Sequence, residues 1–270
     1  MTGPVICFDF DGTLVSNGGE IHPDDAAVLN AQNRHAATFI PATGRPLHSV
    51  RHTFERNGVF DERPIPLPMV LQNGAALYTP GEALLAHHPF AEEVQRRLLD
   101  AMMNNPEISF LLFTLGKVHV MWPSETARRL VRRFDLETRP FDAGSGDVQF
   151  TKAISIAEAA EALRAFASDV ATLPLEMHYS LETVLEINQK DVDKAYGLAK
   201  ILDALALVDV QIVAAGDGEN DVPLLDRADV SFAPETSPRA IRERVDYVID
   251  VGETGLFAAI LQKVQQTKRS

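Results

Sequence analysis

The feature that most constrains the fold is a short apolar segment followed at once by two closely spaced carboxylates. The segment Val5 to Phe8 is apolar, Asp9 and Asp11 come next with one residue between them, and Gly12-Thr13 follows. A continuous apolar run of this length is typical of a strand buried on both faces of a parallel sheet. Because ligand sites of open α/β sheets lie at the carboxyl ends of the strands, the two carboxylates are predicted to lie at such a site.

Taken alone, this segment leaves two interpretations open. Two carboxylates so close together repel each other, so a functional site would need a cation or a shared proton beside them. Asp and Gly are also common in surface turns, where they have no chemical role. Further polar groups at other strand ends would favour the functional interpretation.

An alternation of strands and helices follows the first strand and returns near the end of the chain. Strands are predicted at 36–41 and 64–71, with helices between them, and a helix from Lys194 and a strand at 210–215 resume the pattern. Alternating strands and helices predict a parallel sheet with crossover helices. The fold class is therefore predicted to be α/β, with a Rossmann-like parallel sheet core and helices on both faces.

The middle of the chain departs from this alternation. Residues 84–184 combine short strands, hairpin signals and amphipathic helices, which is typical of an α+β unit. We therefore predict a core domain built from residues 1–83 and 185–270, interrupted by an inserted α+β cap domain at 84–184.

Charge and cysteine content narrow the class of protein. The 270 residues carry a net charge of −13, which argues against a nucleic-acid partner because such partners require a basic face. No apolar run is long enough to predict a membrane span. A single cysteine and the absence of a signal-like N-terminal segment predict a cytoplasmic protein, expected to act as a monomer or small homo-oligomer.

Polar side chains capable of chemistry follow three of the predicted strands. They are Asp9 and Asp11 after the first strand, Thr43 and Gly44 after the second, and Asp217, Asn220 and Asp221 after the strand at 210–215. If these strands belong to one parallel sheet, all three groups face the same edge. The carboxylates of Asp9 and Asp217 supply the oxygen ligands that Mg²⁺ takes in proteins.

Lys194 lies in the first turn of a predicted helix, where a positive charge opposes the helix dipole. Such a placement is favourable if an anion is bound at the same helix end. A solvated lysine is the alternative, since Lys190 and Lys200 lie nearby and could serve equally well as cations.

In chain order, these groups resemble the four motifs of the haloacid dehalogenase-like superfamily of phosphohydrolases. The motifs are Asp9-Phe10-Asp11-Gly12-Thr13, Thr43-Gly44-Arg45, Lys194 and Gly216-Asp217-Gly218-Glu219-Asn220-Asp221. The insertion between the second and third motifs is similar to the type II cap of the Cof-type sugar-phosphatase branch. Asn73-Gly74-Ala75, after the third predicted strand, also resembles that branch.

The resemblance implies a role for each motif residue. Asp9 is expected to be the nucleophile that forms an aspartyl-phosphate, and Asp11 the general acid and base. The expected phosphate-binding residues are Thr43, Gly44, Lys194 and Asn220. The expected Mg²⁺ site comprises Asp9, Asp11 through its backbone carbonyl, and Asp217, with Asp221 supporting the metal waters and Lys194. For Arg45, a structural ion pair is as plausible as a catalytic role.

The function implied is Mg²⁺-dependent hydrolysis of small phosphorylated metabolites, sugar phosphates foremost. A phosphomutase or phosphotransferase, and a non-catalytic phosphate-binding regulatory protein on the same fold, stay open as alternatives.

Weaker candidates have structural explanations. A cysteine phosphatase is disfavoured because Thr13 stands where an arginine would be needed after Cys7. The arginines between 128 and 133 are interpreted as a solvated helix face. Met177, His178 and Tyr179 are possible residues of the substrate entrance, although packing within a strand explains them as well.

Overall fold

The computed structural model describes residues 3–60, 64–142 and 148–267. The first part of the core contains β1 (Val5–Phe8), α1 (Pro23–Asn30), β2 (Thr38–Pro41), α2 (Leu47–Arg56), β3 (Met69–Leu71), β4 (Ala76–Tyr78) and β5 (Leu84–His87). The middle of the chain contains α3 (Glu92–Met103), β6 (Ser109–Phe113), β7 (Val118–Met121), α4 (Glu125–Arg133), β8 (Thr138–Pro140), β9 (Lys152–Ile156), α5 (Ala160–Val170), β10 (Leu175–Leu181) and β11 (Val184–Gln189). The second part of the core contains α6 (Lys194–Ala204), β12 (Ile212–Ala215), α7 (Val222–Arg227), β13 (Val230–Pro234), α8 (Arg239–Arg242), β14 (Tyr247–Ile249), α9 (Val251–Thr254) and α10 (Leu256–Thr267).

The core is a parallel sheet in the order β14-β13-β12-β1-β2. A single parallel bridge between Ala42 and Val70 extends this order to β3. β2 pairs with one side of β1, whereas β12, which follows the cap in the sequence, pairs with the other side. This reversal creates a crevice at the carboxyl ends of β1 and β12, where open α/β sheets bind ligands. The predicted α/β fold class is confirmed.

Strand β1 is apolar throughout because both of its faces are covered. Ile6 and Phe8 pack into one core cluster, where the ring of Phe8 meets that of Phe257 of α10 edge to face at 5.0 Å between centroids. Val5 and Cys7 point to the opposite cluster, which α6 and α7 cover. Cys7 is therefore a buried core residue, as its apolar surroundings predict.

The middle of the chain forms a second sheet, in the order β10-β11-β9-β6-β7-β8. All of its pairings are antiparallel except that of β7 with β8. Helices α3 and α5 pack on one face of this sheet, and α4 packs on the other. We refer to this α+β unit as the cap.

Strand pairing bears on where the cap begins and ends. β5 pairs with β4 beside the core, whereas β11 pairs with β9 and β10 inside the six-stranded sheet. We therefore move the proposed limits of the cap from residues 84 and 184 to about residues 89 and 190. A strand has the same local sequence pattern whichever sheet it joins, so the sequence alone does not place these limits.

The third strand is also shorter than the predicted 64–71. Pro64, Pro66 and Pro68 occupy alternate positions, and proline has no N–H for a sheet ladder. The regular strand therefore begins only at Met69.

No helix within the described ranges has the length and apolar character needed to cross a bilayer.

Two neighbouring residues of helix α2 make hydrogen bonds with the backbone of the cap. His48 Nε2 accepts one from the backbone N–H of Glu137 at 2.9 Å, and Ser49 Oγ donates one to the carbonyl of Phe134 at 2.5 Å. Burial lowers the pKa of His48, so the ring is neutral and its Nε2 can accept. Protonation would remove this acceptor.

We expect His48 to make stability fall as the pH falls below about 6.5. Because its pKa is lower in the folded protein than in the unfolded chain, the unfolded chain takes up the proton first, and acid favours unfolding. His48→Gln does not titrate, so its melting temperature should fall less between pH 7.5 and 5.5 than that of the wild type. The exposed His52, on the same helix, provides the control His52→Gln. Equal pH dependence in all three proteins would show that His48 is not responsible.

Candidate active site

Three carboxylates and one ammonium group meet at the carboxyl edge of the core sheet. Asp9 follows β1, Asp217 and Asp221 lie in the turn after β12, and Lys194 is the first residue of α6. One oxygen of each carboxylate lies within 4.8 Å of the others. The prediction that the residues after β1 and β12 lie at the same edge of the sheet is therefore confirmed.

Lys194 is completely buried between two of these carboxylates. Its Nζ donates to Asp9 Oδ1 at 2.5 Å and to Asp221 Oδ1 at 2.6 Å. Burial alone would lower the pKa of Lys194, but the charges of Asp221 and Asp9 outweigh burial and raise it. The side chain of Asp193 caps α6 by accepting from the N–H of Tyr196. Lys194 is therefore a fixed internal cation, and the alternative of a solvated lysine is wrong.

Asp221 uses both of its oxygens inside the protein. Oδ1 binds Lys194, and Oδ2 accepts from the backbone N–H groups of Asp217 and Gly218, each at 3.0 Å. These bonds fix the turn after β12 and thereby orient Asp217. The geometry agrees with a supporting role for Asp221 and leaves Asp9 and Asp217 as the carboxylates of the cluster that line the neighbouring cavity.

Asp217 lies directly against the turn after β1. Gly12 has a φ of 81°, which disfavours other residues, and a Cβ at this position would lie 2.2 Å from Asp217 Oδ2. Only glycine therefore allows the two strand-end turns to approach this closely. Burial, reinforced by the charge of Asp221, raises the pKa of Asp217 to about 6.

The cluster fits a divalent cation with oxygen ligands. Burial and the nearby Asp221 carboxylate raise the pKa of Asp9, even though Lys194 opposes this shift. Three carboxylates share the single ammonium group of Lys194 here, so the cluster carries an excess of negative charge. Hard carboxylate oxygens in a dense group are the ligands that Mg²⁺ prefers.

Asp11 belongs to a separate ion pair. Arg45 Nε donates to Asp11 Oδ2 at 2.8 Å and Arg45 Nη2 to Oδ1 at 2.5 Å, so the pair is bidentate. Arg45 also donates to Thr53 on α2, and its guanidinium lies 4.9 Å from the ring centre of Phe134 of the cap. Of the two alternatives that the sequence left open for Arg45, the structure shows the ion pair, made with Asp11.

The cluster opens into a cavity of about 510 Å³ between the core and the cap. Among the predicted site residues, those that line it are Asp9, Asp11, Thr43, Gly44, Asp217 and Asn220. Lys194 and Asp221 are fully buried behind this surface. The structure therefore shows Lys194 bound to Asp9 and Asp221, and its expected contact with phosphate stays a prediction.

The cap contributes a wall that the motifs do not reveal. Its lining residues include Phe113, Phe134, Leu136, Lys152, Ile154 and Glu186, together with His178 and Tyr179, which the sequence raised as candidates. Met177 instead packs against the interior of the cap. Arg133 lines the cavity, whereas Arg128 and Arg132 are exposed and pair with Glu125, as a solvated face predicts. Lys152 is the first residue of β9, which is otherwise apolar except for Ser155, and a charged residue in such a strand is a signal that could have indicated this wall.

We expect Lys194→Met to lose about 3–5 kcal/mol of folding stability, because it leaves two buried carboxylates without their cation. The measurement is denaturant unfolding at neutral pH in the presence of a chelator. Lys200→Met provides the matched control, since Lys200 is exposed on the same helix. A loss no larger than that of the control would contradict the proposed dependence on this ion pair.

Comparison with known proteins connects this geometry to a family. The haloacid dehalogenase-like hydrolase family matches residues 6–260. The chain is 23% identical over 257 residues to the 5-amino-6-(5-phospho-D-ribitylamino)uracil phosphatase YcsE of Bacillus subtilis, covering 95% of this chain and 94% of that protein. It is 26% identical over 286 residues to the pyridoxal phosphate phosphatase YbhA of Escherichia coli, covering 97% and 98%.

A solved structure supports the same assignment at the level of the fold. The structure of a HAD subclass IIB sugar phosphatase superposes with a TM-score of 0.77 at 19% identity, covering 96% of this chain and 98% of the other. Because the family match spans nearly the whole sequence, the chain belongs to the haloacid dehalogenase-like hydrolase family, and the prediction of an enzyme of this family is confirmed.

Proposed function

We propose that the chain is a Mg²⁺-dependent phosphatase that hydrolyses small phosphorylated metabolites, sugar phosphates foremost, through an aspartyl-phosphate. The observation that carries this proposal is the position of Asp9, which lines the cavity while its Oδ1 is held by a buried lysine. The names of the relatives add support, since both describe phosphatases acting on phosphate esters of small molecules.

Asp9 is the proposed nucleophile. Lys194 binds its Oδ1, so the carboxylate is held in one orientation and Oδ2 is available to attack phosphorus. The new bond joins Asp9 to phosphorus as the bond from phosphorus to the leaving oxygen breaks. Water then attacks the same phosphorus, which releases inorganic phosphate and restores the carboxylate.

Asp11 is the proposed acid and base of the two steps. To act as the acid, Asp11 must first take up a proton in place of one of its hydrogen bonds with Arg45. This proton passes to the leaving oxygen in the first step, and the carboxylate so formed takes a proton from the attacking water in the second. The two hydrogen bonds from the Arg45 guanidinium group limit the positions that this carboxylate can occupy. Both proton transfers take place near the same phosphorus atom, so they require a carboxylate that stays in one position beside the cavity.

The phosphate group would be bound by the strand-end residues that line the cavity. Thr43 and Gly44 follow β2, and Asn220 lies in the turn after β12. Asp9, Asp217 and the backbone carbonyl of Asp11 would hold Mg²⁺, with Asp221 supporting them. The ion would neutralise charge as the anionic phosphate approaches the carboxylate of Asp9.

Asp9→Asn should reduce phosphate release from a hexose phosphate by roughly 10³-fold or more, because the amide is not a nucleophile. Release of inorganic phosphate by the wild type also distinguishes hydrolysis from transfer to a second sugar. The exposed Asp24 provides the control Asp24→Asn. A folded Asp9→Asn protein with wild-type turnover would rule out this mechanism.

Removal of divalent cations should abolish turnover, and added Mg²⁺ should restore it, because the proposed ligands are all oxygens. The measurement is phosphate release before and after chelation and after addition of Mg²⁺. Cation binding should also raise the melting temperature of the wild type, since it relieves repulsion at the cluster. Full activity after exhaustive chelation would contradict the proposed site.

A further inference from the structure

A buried ion pair of the cap lies against the Thr43-Gly44 turn of the core. Lys152 of β9 and Glu186 of β11 approach to 2.7 Å between Nζ and Oε2. The lysine side chain is 2% exposed and the glutamate side chain 15% exposed. Both residues line the cavity, yet neither belongs to the motifs that carry the proposed chemistry.

The pair is fixed from the core as well as from the cap. Lys152 Nζ donates to the carbonyl of Gly44 at 3.1 Å, and Asn73 Nδ2 donates to Glu186 Oε2 at 2.7 Å. A Cβ on residue 44 would lie 2.5 Å from Lys152 Nζ. Glycine at this position therefore lets a cap ammonium group reach a turn that is proposed to bind phosphate.

The remaining bonding capacity of the pair is suited to a hydroxyl group. An ammonium group has three N–H donors, and Lys152 uses two of them on Glu186 and Gly44. Among the described residues, the hydrogen bonds and ion pair of Glu186 all involve Oε2, which leaves Oε1 to accept. A donor and an acceptor side by side match a hydroxyl, which both accepts and donates.

The charge of the glutamate also favours a hydrogen-bond donor as its ligand. Burial alone would raise the pKa of Glu186, but the charge of Lys152 outweighs burial and lowers it. Glu186 is therefore an ionised carboxylate, which can accept a hydrogen bond from a bound molecule but cannot donate one. The other cavity-lining side chains of the same two strands, Ile154 and Val184, are apolar.

We propose that Lys152 and Glu186 bind a hydroxyl group of the leaving alcohol near its phosphoester, which makes the enzyme selective for polyol and sugar phosphates over phosphate esters of unsubstituted alcohols. This proposal rests on the proposed phosphatase function. It assigns a binding role to the two residues, whereas proton transfer and attack on phosphorus stay with Asp9 and Asp11.

The test compares two substrates that differ only in their hydroxyl groups, a hexitol phosphate and hexyl phosphate. Both have primary-alcohol leaving groups, so the need for protonation is similar. The variants are Glu186→Gln and the double variant Lys152→Met/Glu186→Gln. The double variant removes both charges together and so leaves no buried charge unpaired. The control is Lys117→Met/Glu182→Gln, which makes the same changes at exposed cap positions.

We expect the ratio of kcat/KM for the hexitol phosphate to that for hexyl phosphate to fall about 10-fold or more in the double variant, the range for a lost hydrogen bond to a charged group. The ratio should fall by a smaller factor in Glu186→Gln, because the neutral amide can still form a weaker hydrogen bond with a hydroxyl. Turnover of hexyl phosphate should fall by a smaller factor than that of the hexitol phosphate, and the ratio in the control should stay close to wild type. If the double variant does not fold, as judged by thermal melting, Glu186→Gln alone decides.

Equal losses on both substrates would overturn the proposal, because they would show that the pair only joins the cap to the core. An unchanged ratio would overturn it as well. Failure of the wild type to release phosphate from either ester would instead contradict the proposed phosphatase function, on which the proposal rests. The two failures are therefore distinguishable within one experiment.

Discussion

The buried ammonium group of Lys194 is the contact on which the rest of the site depends. It joins Asp9, at the end of β1, to Asp221, in the turn after β12, and so ties together two chain segments from opposite ends of the sequence. Removing a charge from water costs free energy, and only close, well-oriented ionic and hydrogen-bond partners offset that cost. The position of α6, the turn after β12 and the orientation of Asp9 are therefore mutually dependent.

The core alone does not complete the cavity. Arg45 of the core holds Asp11 and packs its guanidinium against Phe134 of the cap, so the proposed acid and base is stabilised from both units. Conversely, Lys152 of the cap donates a hydrogen bond to the carbonyl of Gly44 in the core. Because these contacts cross between core and cap at separate points, changes in the cap can alter the surroundings of Asp11 and of the phosphate turn without changing the motif residues.

Charge balance explains why the site collects so many ionised groups. A dianionic phosphate can approach the carboxylates of Asp9 and Asp217 only if nearby positive charge offsets the repulsion. Lys194 and Arg45 are each already bound to carboxylates, so they orient these groups more than they attract an anion. The remaining excess of negative charge is the physical basis for expecting a divalent cation at the cluster.

The sequence by itself determined the parallel sheet, the α+β insertion and the identity of the strand-end residues. Each of these depends on local patterns, such as an apolar strand followed by carboxylates or a glycine turn, and local patterns survive in a single sequence. Tertiary structure alone decided which sheets β5 and β11 join, the pairing of Asp11 with Arg45, the burial of Lys194 behind Asp9 and the approach of Lys152 to Gly44. The last two contacts join residues 185 and 108 positions apart. Such contacts depend on how separate units pack, and no periodicity along the chain encodes that packing.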